Sequence, residues 1–380
     1  MATRSDRFFG EVIARFPPAT DARIAVVTHL LPDRPAFLRA LARIGRVEWV
    51  IPVRYSEAPG IAAAASELGI TVRRPPGDGA WPPAPEWWAE TLAETLAAAP
   101  DPLVVYEIGG YFAPVLAACA ARWPDRLLGA VEDTEAGHRR YAGAEPLPVS
   151  VVSIARSPLK GPEDRLVGES IAFSIERALR ALGRPVPGCA ATVLGYGTVG
   201  SATAAALRSR GARVSVWDPD PQPRILALAG GLATPARDDA LRGADLIVGC
   251  TGTTSFDSDD LALIRRGCVL ASGSSRQSEI DLADRERRTI VDGPIGLPLV
   301  EAVALPGGGD AYLVYAGFPA NFADGAAIGP FLRLSQAEIL VAISSLIARR
   351  PAPGLCEVAD SDRAALADLW LSVYGTPTEA

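Results

Sequence analysis

Lysine is almost missing from this chain. Of 37 basic residues one, Lys160, is lysine, and the other 36 are arginine. Histidine is nearly as scarce, with His29 and His138 only, and the one methionine is Met1. A sequence that uses arginine for every other cation points to Lys160 as a position arginine cannot fill. Lysine gives up its proton when desolvated, and arginine effectively does not. Chance survival of one surface lysine is the competing explanation. Cysteine is sparse as well: five, at 119, 189, 250, 268 and 356, with no C-x-x-C pair. Such an odd, unpatterned set argues against a disulfide framework and fits a reducing compartment. No run of 18 uninterrupted apolar residues predicts a membrane span, and residues 1–16 lack the apolar core of a signal peptide. The expected location is therefore cytoplasmic. A net charge of −7 argues against a general nucleic-acid binder.

What is present is concentrated in residues 190–221, AATVLGYGTVGSATAAALRSRGARVSVWDPDP. Residues 191–194 are short and apolar. Gly195, Gly197 and Gly200 then form G-x-G-x-x-G, with Thr198 and Val199 opening a small-residue helix. Residues 214–217 give a second strand, and Asp218 stands at its end. The first glycine permits a tight turn, the second lets a pyrophosphate approach, and the third lets the helix pack close to the strand. The helix N-terminus offers unpaired N–H groups to the phosphates. An acid at the position of Asp218 accepts both hydroxyls of an adenine ribose and repels a 2′-phosphate. NAD is the expected cofactor, although Arg224 leaves an opening for NADP.

The rest of the chain alternates strand and helix, which predicts an α/β fold with parallel, doubly wound sheets. Strands are expected at 22–28, 47–53, 70–73, 103–106, 127–131 and 149–155, then at 245–250, 267–271 and 311–315. A loop at 157–165 is expected to lead into a long helix at 166–182. Polar residues cluster at the predicted strand ends, at His29, Glu107 and 132–135, where open α/β sheets bind ligands.

With these residues in view, the chain resembles the S-adenosylhomocysteine hydrolase family. GYGTVG…ARVSVWDPDP is similar to that family's G-Y-G-x-V-G…A-x-V-x-V-x-E-x-D-P, with Asp218 in place of the usual glutamate. GAVEDTEAGHRRY (129–141) resembles G-x-x-E-E-T-T-T-G-V-x-R-L, and SPLKGPEDRLVG (157–168) resembles T-K-S-x-F-D-N-x-x-G. ARIAVVTHL (22–30) resembles A-R-I-x-x-x-x-H-M, and ADLIVGCTGT and GFPANFA also fall in register. The resemblance implies a substrate-binding domain at 1–165, a Rossmann-type NAD domain at 166–331, and helices at 332–380 that return to the first domain. It implies homo-oligomers, dimer or tetramer, a small nucleoside-type substrate, and no metal, nucleic acid or membrane.

By the same resemblance, Lys160 is the base for a ribose 3′-hydroxyl, with Asp164 tuning it or holding hydroxyls. A surface salt bridge between these two is the plainer alternative. Asp133 falls where the family binds ribose hydroxyls, or is a solvated turn. Thr134, Thr251, Gly252 and Asn321 fall with the NAD contacts. His29 matches a histidine that handles protons near C5′, or is a hydrogen-bonded core residue, and His138 is structural. Departures are equally specific. The family's G-H-F reads Gly273-Ser274-Ser275, its later G-H-P-S reads Gly329-Pro330, and its D-D-G-G reads Glu107-Ile108-Gly109-Gly110. Glu169 takes its active-site cysteine position, and the chain ends VYGTPTEA without the family's lysine- and tyrosine-bearing tail. The implied activity is NAD-dependent oxidation of the 3′-hydroxyl of an adenosine-like nucleoside with a redox-neutral outcome, such as 3′-epimerisation. If elimination at C5′ occurs instead, Glu107 or His29 is the candidate base. Alternatives are a divergent hydrolase, a dehydrogenase of another hydroxylated molecule, and a silent NAD-binding regulator.

Overall fold

A computed structural model describes residues 3–18, 22–77, 81–274, 279–282, 285–293, 297–323, 325 and 328–375. Of the predicted site positions only Ser275, and the tail from residue 376 onward, lie outside them. The chain divides into two compact units, residues 1–160 with 329–380, and residues 161–328. The architecture is α/β in both.

Among the described residues, the first unit holds a seven-stranded sheet. Its strands β1 (Arg23–Leu30), β2 (Arg46–Glu57), β3 (Thr71–Val72), β4 (Leu103–Glu107), β5 (Leu127–Glu132) and β6 (Ser150–Ser153) are joined by a strand from late in the chain, Gly354–Cys356. The order is Gly354–Cys356, β6, β5, β4, β1, β2, β3, every pairing parallel. Both faces are covered, so β1 and β4 are buried almost throughout, as parallel strands between helices must be. The helix Leu332–Arg349 packs on this sheet and carries Ala337, Ile339, Leu340 and Ile343 into the core. With its preceding turn (residues 329–349) this helix is long and apolar enough to cross a membrane by composition, yet 72% of it is buried. It is a core helix. Arg23, 1% exposed, donates to the carbonyls of Thr95, Ala99 and Asp101. It thereby closes the C-terminal end of the helix Pro85–Ala98.

The second unit holds β7 (Ala190–Leu194), β8 (Arg213–Trp217), β9 (Leu246–Gly249), β10 (Phe256–Asp257), β11 (Val269–Ser272), β12 (Ile280–Asp281), β13 (Arg287–Asp292), β14 (Pro298–Ala304) and β15 (Asp310–Val314). Its main sheet has the order β13, β14, β15, β11, β9, β7, β8. β8, β7, β9, β11 and β15 are mutually parallel, while β14 runs antiparallel to both β13 and β15. That antiparallel edge departs from the expected parallel pattern. A second departure concerns the loop predicted at 157–165. The helix starts at Gly161 and runs to Ala181. Pro162, Glu163 and Asp164 occupy its first turn, where a fixed φ and negative charge suit a helix N-terminus.

Candidate functional site

The parallel sheet of the first unit delivers His29, Ser56, Glu107, Glu132 and Ser153 to the C-terminal ends of neighbouring strands. Lys160 closes a short 3-10 turn, Pro158–Lys160, after β6. Its Nζ donates to Asp133 Oδ1 at 2.6 Å and to the Asp133 carbonyl at 2.9 Å. The two side chains are 11% and 15% exposed, so water screens this ion pair weakly. A carboxylate at this distance favours the ammonium form.

His29 is partly buried, and its Nδ1 bonds Ser56 Oγ. The Ser56 hydroxyl donates to the Val53 carbonyl at 3.1 Å. When the hydroxyl proton goes to Val53, Nδ1 carries the ring hydrogen and Nε2 the lone pair. Burial and then the Arg34 guanidinium push the His29 pKa down to about 3. Asp133 opposes that shift and Lys160 adds to it. The ring is therefore neutral at physiological pH and shares its electrostatic surroundings with the Lys160–Asp133 pair.

Glu107 and Glu132 are paired in register and fully buried. Glu132 accepts from the N–H groups of Gly109 (3.0 Å), Gly110 (2.8 Å) and Thr134 (2.6 Å), and from the Thr134 hydroxyl (2.6 Å). Glu107 accepts from the N–H groups of Tyr111 (2.5 Å) and Phe112 (3.1 Å) and from the Tyr141 hydroxyl. Burial raises both carboxyls above their ordinary range, and the Glu107 charge raises Glu132 further. Glu107 thus holds the start of the 111–112 segment and the Tyr141 hydroxyl. The Thr134 side chain caps the helix Glu135–Gly143, accepting from Gly137 N at 3.1 Å while donating to Glu132. His138 is buried with Nδ1 2.9 Å from Ser153 Oγ.

In the second unit β7 ends at Leu194, and Gly195 turns with φ +95°. A Cβ there would meet the Cys250 carbonyl at 2.6 Å, and one on Gly200 would meet the Gly195 carbonyl at 2.1 Å. Only glycine fits either place. Gly197 differs, because a Cβ there meets nothing within 4 Å. Gly197 is the N-cap of the helix Thr198–Ser209 and supplies no side chain to its first N–H groups. Asp218, 9% exposed, follows β8 and accepts from Tyr196 N at 2.7 Å and Asp220 N at 2.9 Å. It ties the glycine turn to the end of β8. Thr251 and Gly252 follow β9 and are held by Glu279, which accepts from the Thr251 hydroxyl at 2.9 Å and from Gly252 N at 2.5 Å. Glu279 is fully buried, and burial raises its pKa. Asn321 is buried on the short helix Ala320–Ala323. Asp164 sits in the first turn of Gly161–Ala181, and Glu169 on that helix pairs with Arg210 at 2.8 Å.

Residues 166–320 match the family model for the NAD binding domain of S-adenosyl-L-homocysteine hydrolase. Over that segment the chain is similar to the S-adenosylhomocysteine hydrolase family. Its cofactor is NAD. An adenosylhomocysteinase of Aeropyrum pernix is 25% identical over 79% of this chain and 71% of its own length. One from Corynebacterium diphtheriae is 29% identical over 52% of this chain and 43% of its own. An uncharacterized protein of Mycobacterium tuberculosis is 31% identical over 77% of this chain. The chain spans 58% of the length of that relative.

The residues present fit the dinucleotide. The space where a Gly197 side chain would stand is open, the helix N-terminus behind it lacks a side-chain cap, and Asp218 stands at the end of the adjoining strand. These three features suit a pyrophosphate and an adenine ribose. Reading the sequence missed Glu279 and Ser56. Each acts by accepting or relaying hydrogen bonds from residues that were singled out, a role that leaves no spacing signature.

Proposed function

We propose that this protein oxidises the 3′-hydroxyl of an adenosine-like nucleoside and returns the electrons before release, with no net redox change. The observation that carries the reading is the chain's sole lysine, paired with Asp133 at 2.6 Å beside a neutral histidine. NAD, when bound, supplies a hydride acceptor that can give the hydride back. Asp133 would bind the ribose hydroxyls, and in doing so would loosen its hold on Lys160 Nζ. The ammonium would then release a proton to solvent, and the neutral amine left would take the 3′-hydroxyl proton, which a guanidinium cannot do. His29 Nε2 would accept a hydrogen bond near C5′. Asp164 would hold hydroxyls or tune the lysine. Gly195, Gly197, Thr198, Val199 and Gly200 would cradle the pyrophosphate, Asp218 would hold the adenine ribose, and Thr251, Gly252 and Asn321 would line the nicotinamide end.

A sugar modification such as 3′-epimerisation is favoured over elimination, since Ile108 stands where the resemblance puts the second, proton-abstracting aspartate of D-D-G-G, and the oxygens of the neighbouring Glu107 are occupied. A divergent adenosylhomocysteinase is the second reading, supported by the relatives of that name. We further propose a cytoplasmic homo-oligomer. The test is absorbance at 340 nm after adding adenosine, then S-adenosylhomocysteine, to protein loaded with NAD. A rise stoichiometric with enzyme supports ribose oxidation, and homocysteine release would select the hydrolase. A flat trace with NAD demonstrably bound would overturn both readings.

A further inference from the structure

Glutamate is almost never sealed in a core unless it is paired, and Glu338 is sealed completely. It lies between Ala337 and Ile339 on the helix Leu332–Arg349 and is fully buried. Its Oε1 accepts from Arg363 Nε at 2.7 Å, on the helix Asp360–Tyr374. That guanidinium is shared. Glu357 accepts from its Nη2 at 2.9 Å and Asp360 from its Nη1 at 3.4 Å, and both of these carboxylates are exposed. Glu338 Oε2 is buried with no hydrogen-bond partner among the described residues. Replacing a buried ion pair by apolar side chains is often neutral or stabilising, so stability alone does not account for this one.

The same helix packs on the turn Pro158–Lys160. Ser157 opens that turn, its Oγ accepting from Leu159 N at 3.2 Å and its carbonyl from Lys160 N at 3.1 Å. Burial raises the Glu338 pKa, and Ser157, Arg363 and Lys160 oppose that rise. Protons obey the reciprocity of any bound ligand. If the ammonium makes Glu338 easier to ionise, the Glu338 carboxylate makes the ammonium harder to deprotonate. The other groups near Lys160 are Asp133 after β5, the neutral His29 ring on β1 and the Tyr106 phenol on β4, while the Arg34 charge reaches both rings from the helix Arg34–Ile44. Asp133 is the carboxylate that substrate hydroxyls would engage. Glu338 is closed to substrate, so its charge acts on Lys160 whether or not Asp133 is occupied.

We propose that Glu338 is a positioning residue for Lys160, holding on the amine the proton taken from the substrate hydroxyl until that proton is given back. Its use in catalysis rests on the nucleoside reading above. There, as the hydride leaves C3′, the amine takes the hydroxyl proton, and when the hydride returns the ammonium restores it, so electrons and protons both balance. The sole lysine makes the test direct. Full-length protein loaded with NAD, and grown with lysine carrying carbon-13 at Cε, gives one lysine side-chain signal, whose shift against pH reports the Lys160 midpoint. Glu338→Gln should lower that midpoint by about one pH unit, and Arg363→Gln, which removes the opposing cation, should raise it. Glu357→Gln, on the exposed side of the same guanidinium, should leave it in place. An unmoved midpoint in Glu338→Gln, or an equal fall in Glu357→Gln, would overturn the proposal. If Glu338→Gln does not fold, Arg363→Gln decides, and a midpoint that stays or falls there refutes it. The pH of half-maximal nucleoside-dependent reduction at 340 nm should move with the signal. A midpoint that falls in Glu338→Gln while no nucleoside raises the absorbance would sink the nucleoside reading and leave the Glu338–Lys160 coupling standing.

Discussion

Arginine at position 160 could still reach Asp133, and for that reason Lys160→Arg separates charge from proton transfer. The variant should fold and bind NAD normally, while nucleoside-dependent absorbance at 340 nm falls at least ~100-fold, within the range typical of a lost general base. Undiminished reduction would make the pair structural. His29 gives a second prediction. An unfolded histidine titrates near pH ~6.5, whereas the folded ring stays neutral down to about 3. The stability that goes with a neutral ring is therefore fully present above pH ~6.5 and is lost as pH falls toward 3. Between pH 7 and pH 5 this amounts to at most about 2 kcal/mol. His29→Gln should flatten the acid side of a plot of urea midpoint against pH, and an unchanged slope would mean that other groups dominate it. At this scale Lys160, Asp133 and His29 were legible in the sequence because rarity and motif marked them. The proton direction in His29 was not, since it depends on a serine 27 residues away.

Gly197 and Gly200, to which the motif gives different roles, should respond differently to alanine. Gly200→Ala drives a Cβ against the Gly195 carbonyl and should destabilise the second unit by about 1–3 kcal/mol, in the range of overpacking. Gly197→Ala meets no protein atom, so melting temperature should hold while NAD affinity, measured by calorimetry, drops at least ~10-fold. An equal effect of both on stability would contradict the assigned geometry. Gly137 inverts a common expectation. It lies within the helix Glu135–Gly143, where alanine ordinarily gains about 1 kcal/mol. Here a Cβ would stand 2.1 Å from the Glu132 carboxyl carbon. Gly137→Ala should therefore lower the melting temperature, and a rise would show that Glu132 does not brace the 109–112 turn. Strand–helix alternation and the glycine turn were readable from apolar runs and breakers. The β13–β14 pair was not, because β13 is exposed along most of its length and carries no buried run to betray it.

Each unit has its own hydrophobic core. That of the first draws on residues from Phe8 to Val373, while those of the second lie wholly between Ile171 and Ala320. A fragment spanning 161–328 should therefore fold cooperatively and bind NAD, as judged by circular dichroism and calorimetry. A fragment ending at 160 should not fold, because it lacks the helix Leu332–Arg349 and the strand Gly354–Cys356. The α/β class and the family resemblance were visible from sequence because their motifs recur in the same order. The first unit's dependence on a distant strand was hidden, since three residues cannot announce a sheet edge.

That late strand has a consequence for synthesis. The ribosome delivers the whole nucleotide-binding segment before it delivers the residues that complete the sheet bearing His29 and Lys160. If the segment 161–328 folds by itself, a nascent chain would be able to load its dinucleotide before the first sheet receives its last strand.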